Sequence, residues 1–475
     1  MLDLDARLPR PSETARQKAC SKLERALGPS RVLTRSESCE RFSRDESEAQ
    51  GRIPDAVVQA ESMDDVAATL AVARETGVPV TPRAGGTGRV GGAVPLAGGI
   101  VLSLAAMNRI QEIDRREGIA VVQPGVVLVN LHDAVEAEGW FYPPDPGSLK
   151  DCTLGGNVAA NAGGARAFKY GVTGDYVLGL DLMLVGGQRM HVGRRTRKGV
   201  TGYDLTSLMV ASEGTLAVLG DITLRLVPKP PSAMTLLVLF DGLHEAARTV
   251  EHIIAAGIVP RCLELLDSGT LQAVRDAGNP VDGRAGAMLL IEVDGDEAAC
   301  EAQAERIAGA CERPGVLDVL AAQDASQRAR LWSARHELSQ AVRRLARNKL
   351  AEDVVVPRQR IAELLDRAMA TGDRLSVRTL TYGHAGDGNL HVNFLWDHDH
   401  EKPAVEQAIE QLFRDTLELG GTLSGEHGIG VLKRRYLPWE QSSELIGLQR
   451  DLKRLFDPQG LLNPGKIFPT AEHRH

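Results

Sequence analysis

A run of glycines with no helix behind it sets the first limit on how this chain can fold. Residues Gly86-Thr-Gly-Arg-Val-Gly91 satisfy the G-x-G-x-x-G spacing of dinucleotide-binding βαβ units. That fingerprint needs a helix directly after the glycines, because the pyrophosphate rests on the helix N-terminus. Here Gly92-Ala-Val-Pro-Leu-Ala-Gly-Gly99 follows, a stretch that cannot sustain a helix. The helical pattern lies on the other side. Ser62 and Asp65 make a capping start, Val66, Leu70 and Ala73 form an apolar stripe, and Gly77 ends it. A nicotinamide-binding Rossmann fold is therefore disfavoured. A glycine run can still cradle phosphate through successive backbone N–H groups. A second glycine-rich segment, residues 155–164, lies about 70 residues later and follows Asp145-Pro-Gly-Ser148. Either segment alone could simply connect two strands. Together, with Arg83 in the first, they favour a long anionic cofactor.

The second constraint is His384-Ala-Gly-Asp-Gly-Asn-Leu-His391, with Gly425-Glu426-His427-Gly428 downstream. Three imidazoles and a carboxylate set among glycines are what a divalent-metal site with an adjacent general base requires. Asp-Gly is a favoured pair for a two-residue hairpin turn. A turn at Asp387-Gly388 puts His384 opposite His391 and Tyr382 opposite Asn393, all on one side of the ribbon. Opposed β-carbons lie about 4.5–5.5 Å apart, close enough for both rings to reach one ion. The competing reading is a tight hairpin whose histidines only cap buried polar groups, and for either histidine alone it is the better one. The pair with a downstream Glu-His favours the metal.

A length of 475 residues allows two or three domains with sizeable cores. The net charge of −8, with no basic stripe interleaved with aromatics, argues against a nucleic-acid partner. Apolar runs such as 100–107 and 177–185 fall far short of the roughly 18 residues a membrane span needs. The N-terminus shows neither a secretory signal nor a basic presequence, so the expectation is a cytoplasmic protein. The six cysteines are scattered, with no Cys-x-x-Cys, which fits reduced thiols and excludes an iron–sulfur cluster on a local cysteine run. Any redox chemistry must use another carrier.

The segments PRAGGTG, PPDPGS, CTLGGNVAANAGG, KYGVTGDYVLGL, ASEGTLAV, GHAGDGNLH, SGEHGIG and FDPQGLLNPGK occur in this order. The chain resembles the FAD-dependent D-2-hydroxyacid dehydrogenase family, which includes the flavin subunit of glycolate oxidase, D-lactate dehydrogenase and D-2-hydroxyglutarate dehydrogenase. The match runs from about residue 53 to 469. The resemblance implies an α+β fold: a PCMH-type FAD-binding domain, an αβ substrate (cap) domain with an antiparallel sheet, and a C-terminal helical segment. The expected divisions are an N-terminal helical arm (1–50), the flavin domain (51–229), the cap (230–425) and a segment returning to the flavin (426–475).

By the same resemblance, the FAD pyrophosphate lies against Arg83, Gly85, Gly86, Thr87 and Gly88. The flavin runs along Pro144, Asp145, Ser148, Thr153, Gly155, Gly156, Asn157, Asn161 and Gly164, and Glu213, Gly214 and Asn463 close its site. Some relatives carry a covalent histidine in the first glycine loop; Thr87 stands there in this chain, which implies noncovalent FAD. Zinc or a similar divalent ion is expected on His384, His391 and Glu426, with His427 as the base. The substrate, a small 2-hydroxy acid, is expected to meet Arg335, Lys349 and Asn393, with Ser339 a lesser candidate. The electron acceptor is left open among quinone, cytochrome, electron-transfer flavoprotein and an iron–sulfur subunit, and a homodimer is compatible with the sequence. Two other readings stand beside this one. One is a non-oxidative flavoenzyme such as an alkylglycerone-phosphate synthase, which shares the flavin fold; the paired hairpin histidines argue against it. The other is a flavin subunit acting mainly with an iron–sulfur partner.

Overall fold

A computed structural model describes residues 7–278, 281–322, 324–336 and 338–470. The first six residues of the expected arm and the last five of the expected C-terminal segment lie outside them. The arm contributes helices Glu13–Leu27 and Ser36–Glu40, the first capped by Ser12. Helix Met63–Thr76 starts on Ser62, whose hydroxyl accepts the Asp65 N–H at 3.2 Å, and ends at Gly77 in the left-handed region. It joins strand Ala56–Gln59 to strand Val80–Arg83, and both pair in parallel with Ile100–Ser103. No helix follows the glycine loop: residues 84–99 are turns and coil.

A second, five-stranded antiparallel sheet runs in the order Ile110–Asp114, Ile119–Val122, Val218–Arg225, Val177–Met183, Arg189–Gly193. The second glycine-rich segment is not a loop between strands. Leu154–Ala160 is a helix, and Asn161 ends it in the left-handed conformation at φ 54°. Small residues at Gly155, Gly156, Ala159 and Ala160 leave that helix almost bare, which suits a surface meant to be covered by a ligand.

The third sheet positions the chemistry. Seven antiparallel strands run Val316–Ala321, Ser232–Phe240, Ala287–Gly295, Cys262–Asp267, Arg378–His384, Asn389–Trp396, Asn348–Val355. Alternation divides its side chains sharply. Leu263, Leu265, Leu390, Val392, Phe394 and Val354 enter a core with Val250, Ile253, Leu364 and Phe413, which come from helices Leu243–Ala255, Ile361–Leu375 and Lys402–Glu418. The opposite face carries a polar row: Glu264, Tyr382, His384, His391, Asn393, Lys349 and Asp353. Only part of that face is covered, by an apolar cluster from helices Ser268–Asp276 and Leu338–Arg343.

The hairpin bearing the histidines differs from the expected one. Its turn is four residues long, 385–388, and the register pairs Tyr382 with His391, Gly383 with Leu390 and His384 with Asn389. His384 therefore does not face His391 directly, and Asn393 lies opposite Leu380. Gly388, at φ +84°, is packed so that a β-carbon would sit 2.1 Å from the Val356 carbonyl oxygen. The displacement is two residues, so the side-chain face is unchanged. The imidazoles still meet, edge to face, with centroids 5.3 Å apart.

Candidate active site

Both glycine-rich segments and the His–Glu cluster open onto one cavity of about 530 Å³. Arg83, Gly85, Gly86, Thr87, Gly88, Ser148, Thr153, Gly155, Gly156, Asn157, Glu213 and Gly214 line it on one side. Arg335, Tyr382, His384, His391, Glu426 and His427 line it on the other.

Ser339 also lines the cavity, and the remaining candidates stand behind its walls. Asp145 pairs with Arg166 at 3.1 Å, and Pro144 gives its carbonyl to His132. Asn161 Oδ1 accepts the Gly174 N–H at 2.7 Å. Asn463 donates from Nδ2 to the carbonyls of Gly92 and Glu213, tying the C-terminal segment to both loops. Lys349 Nζ donates to Ser339 Oγ at 2.9 Å and lies 6.0 Å from the Tyr382 ring centre. Asn393 is fully buried and donates to the carbonyls of Leu380 and His391.

Among the residues expected at the flavin, three buried polar atoms have no partner among the described residues: Thr153 Oγ1, Asn157 Nδ2 and Asn463 Oδ1. Leaving such atoms unmet costs about 1–3 kcal/mol each, so they are placed for a polar ligand. The residues thus fit a dinucleotide-sized cofactor. Gly164, at φ +124°, could not be replaced quietly: a β-carbon there would lie 2.5 Å from the Asp145 carbonyl oxygen. Gly164→Ala is expected to cost at least ~1–3 kcal/mol of backbone strain. It should lower both the thermal midpoint and the flavin content of purified protein. A stable, fully yellow variant would show that this corner does not shape the cofactor site.

The cluster on the opposite wall is compact. Donor atoms of His384, His391 and Glu426 all lie within 4.8 Å of one another. Glu426 Oε1 is 3.8 Å from His384 Nε2, 3.5 Å from His391 Nε2 and 3.9 Å from His427 Nε2. The His427 ring stacks on His391 with centroids 5.4 Å apart.

Electrostatics separates the imidazoles. Burial pushes His391 down to about 3 against the pull of Glu426, and burial likewise lowers His427. Burial also disfavours charge on His384, but Glu264 and Glu426 outweigh it and raise that ring well above its ordinary value. Burial opposes ionisation of Glu426, yet His384 first, and then His391 and His427, bring it down to about 2. Two imidazoles and a carboxylate are a donor set that zinc accepts, so the cluster fits a divalent cation.

Two buried carboxylates essential to this geometry were not among the sequence candidates. Glu264 lies opposite His384 in the sheet and accepts His384 Nδ1 and Arg335 Nε, each at 2.6 Å. Asp353 Oδ2 accepts the backbone N–H groups of Gly425, Glu426 and His427 at 2.9–3.0 Å. Ser424 Oγ accepts the Gly428 N–H at 3.0 Å, and Glu213 accepts those of Ile429 and Gly430 at 2.8 Å. The loop bearing Glu426 and His427 is therefore clamped from both walls of the cavity. A signal for Glu264 existed in Cys262-Leu-Glu-Leu-Leu-Asp267, where a carboxylate sits inside an apolar strand.

Comparison with known proteins agrees with this architecture. Residues 54–193 match the family described as FAD binding domain, and residues 229–467 match FAD linked oxidases, C-terminal domain. The chain is 41% identical to glycolate oxidase subunit GlcD of Bacillus subtilis over 432 residues, covering 90% of this chain and 92% of that protein. It is 36% identical to a D-lactate dehydrogenase of Anaerostipes hadrus over 456 residues, covering 93% and 95% respectively. The solved structure of p-cresol methylhydroxylase with substrate bound shares the fold at a TM-score of 0.82 and 16% identity, covering 97% of this chain and 98% of that one. No helix among the described residues is long and apolar enough to cross a membrane. With flavin-type loops and a polar sheet face sharing one cavity, and relatives matched over nearly their whole length, the chain belongs to the FAD-linked oxidoreductases of the glycolate oxidase and D-lactate dehydrogenase type, on the PCMH-type flavin-binding fold.

Proposed function

We propose that this chain oxidises a small D-2-hydroxy acid, of the glycolate, D-lactate or D-2-hydroxyglutarate class, to the 2-oxo acid. FAD is bound noncovalently, and His384, His391 and Glu426 hold a divalent ion, with zinc the first choice. One observation carries the reading: the segments suited to the flavin and the His–Glu cluster line the same cavity. Bound there, FAD supplies a hydride acceptor at N5 and the ion a Lewis acid that makes an alcohol proton easier to remove.

The chain's own residues divide the rest of the work. His427 takes the hydroxyl proton at Nε2; burial keeps its imidazole below the ordinary range and so neutral at pH 7. Arg335, at the cavity wall, grips the substrate carboxylate. Lys349 adds a second positive charge from behind Tyr382, and Asn393 fixes the strand under His391 through the His391 carbonyl.

The test is a dye-reduction screen of tag-free, yellow protein against glycolate, D- and L-lactate, D-malate and D-2-hydroxyglutarate. One D-acid or glycolate should dominate, and chelation should lower the rate at least about tenfold, reversibly on adding zinc. Preference for an L-acid, or full activity in metal-free enzyme, overturns the reading. The relatives named as subunits of glycolate oxidase favour a second reading, in which the chain is a flavin subunit that acts mainly with an iron–sulfur partner. Dye turnover by the isolated chain separates the two.

A further inference from the structure

We infer that Glu264 is a positioning residue shared by the metal-ligand histidine and the substrate arginine, so that the two halves of the site are set by one carboxylate. This rests on the function proposed above and assigns a role to a residue outside the binding set itself.

Glu264 lies mid-strand with no solvent exposure, between buried Leu263 and Leu265. A carboxylate is a poor choice for packing alone, since burying one costs several kcal/mol in rough terms. Both of its oxygens are committed. Oε1 accepts His384 Nδ1 at 2.6 Å, and Oε2 accepts Arg335 Nε at 2.6 Å and Arg335 Nη2. The first bond selects the tautomer and swing of the His384 ring, which leaves Nε2 directed at Glu426, 3.8 Å away. The second holds one edge of the guanidinium, whose plane lies over Tyr382 with 5.2 Å between centres. Its two partners lie 120 and 71 residues further along the chain, so nothing local enforces the contacts. Loosening Glu264 should disturb ion binding and carboxylate binding together, whereas loosening Arg335 should disturb only the second.

The experiment compares Glu264→Gln, Arg335→Lys and wild type as flavin-loaded proteins. Zinc affinity is read by competition with a chromophoric chelator, and KM is read with the acid that turns over fastest in the dye screen. Glu264→Gln is expected to weaken zinc by about 10–100-fold, as loss of a carboxylate behind a ligand histidine does. It should also raise KM by about tenfold or more, because the arginine loses a charged partner. Arg335→Lys should raise KM while leaving zinc affinity within about threefold. If Glu264→Gln does not accumulate as yellow protein, Glu264→Asp decides: its shorter arm should shift zinc affinity and KM the same way, by less. A Gln or Asp variant that moves neither quantity, or only one, overturns the inference. Wild type that binds no zinc and reduces no dye with any 2-hydroxy acid overturns the proposed function instead.

Discussion

Replacing His427 with alanine is expected to lower kcat by about 10²–10⁴, the range that loss of a positioned general base commonly costs. Flavin absorbance and zinc content should stay near wild type. The separation of effects follows from the geometry. The His427 backbone N–H is held by Asp353 whatever its side chain, so the loop should keep its path. The three converging donors come from His384, His391 and Glu426, so the ion keeps its ligands. What disappears is the imidazole stacked on His391, with Nε2 3.9 Å from Glu426 Oε1. KM should change by no more than about threefold, because the charged partner for the carboxylate is elsewhere on the wall. His391→Ala makes the contrast: it removes a ligand, so zinc and turnover should fall together. Steady-state dye reduction with metal analysis on the same samples decides. A His427→Ala enzyme within tenfold of wild type would remove His427 from the role of base.

Local patterns in the chain carried much of this architecture. The stripe of Val66, Leu70 and Ala73 between Ser62 and Gly77 marked its helix to the residue, because capping and periodicity are local properties. The glycine loop without a following helix correctly argued against a Rossmann unit. The two hairpin histidines share a face as expected, although their register differs. Asp-Gly favours a two-residue turn, but packing of Gly388 under Val356 and pairing of Asn389 with His384 lengthen it. Residues 155–160 read as a loop because glycine disfavours helix, yet the surrounding fold holds them helical. Glu264 and Asp353 escaped notice for a different reason. Each acts through strand neighbours and partners dozens of residues away, and single-chain periodicity does not record cross-strand register. The same holds for the set-back positions of Lys349 and Asn393: residue type and face were legible, but depth behind the cavity wall was not.

Asp353→Ala should produce the largest combined loss of stability and activity. The carboxylate has no exposure and is fully used. Oδ2 accepts the N–H groups of Gly425, Glu426 and His427 and the Ser424 hydroxyl, while Oδ1 accepts Asn389 Nδ2 at 2.6 Å. Burial opposes its charge, but His427, Lys433 and His391 together hold it well below the usual carboxylate range. Removing it strands those donors and takes from the buried Lys433 ammonium one of its two neighbouring acids, 3.9 Å away, leaving only Glu352 at 3.7 Å. Breaking a buried charged network in this way costs about 3–5 kcal/mol. Glu213 still holds Ile429 and Gly430, so the far end of the loop stays anchored while the end bearing Glu426 and His427 is released. Turnover should therefore fall at least about a hundredfold, since small misplacements of reacting groups carry penalties of that size. Asp353→Asn should be intermediate: one oxygen can still receive the loop N–H groups, but its amide would face the Asn389 amide donor to donor. Denaturant midpoints and kcat measured on all three proteins should rank wild type, Asn, Ala. Wild-type midpoint and turnover in the alanine variant would mean that glycines alone set the shape of the loop.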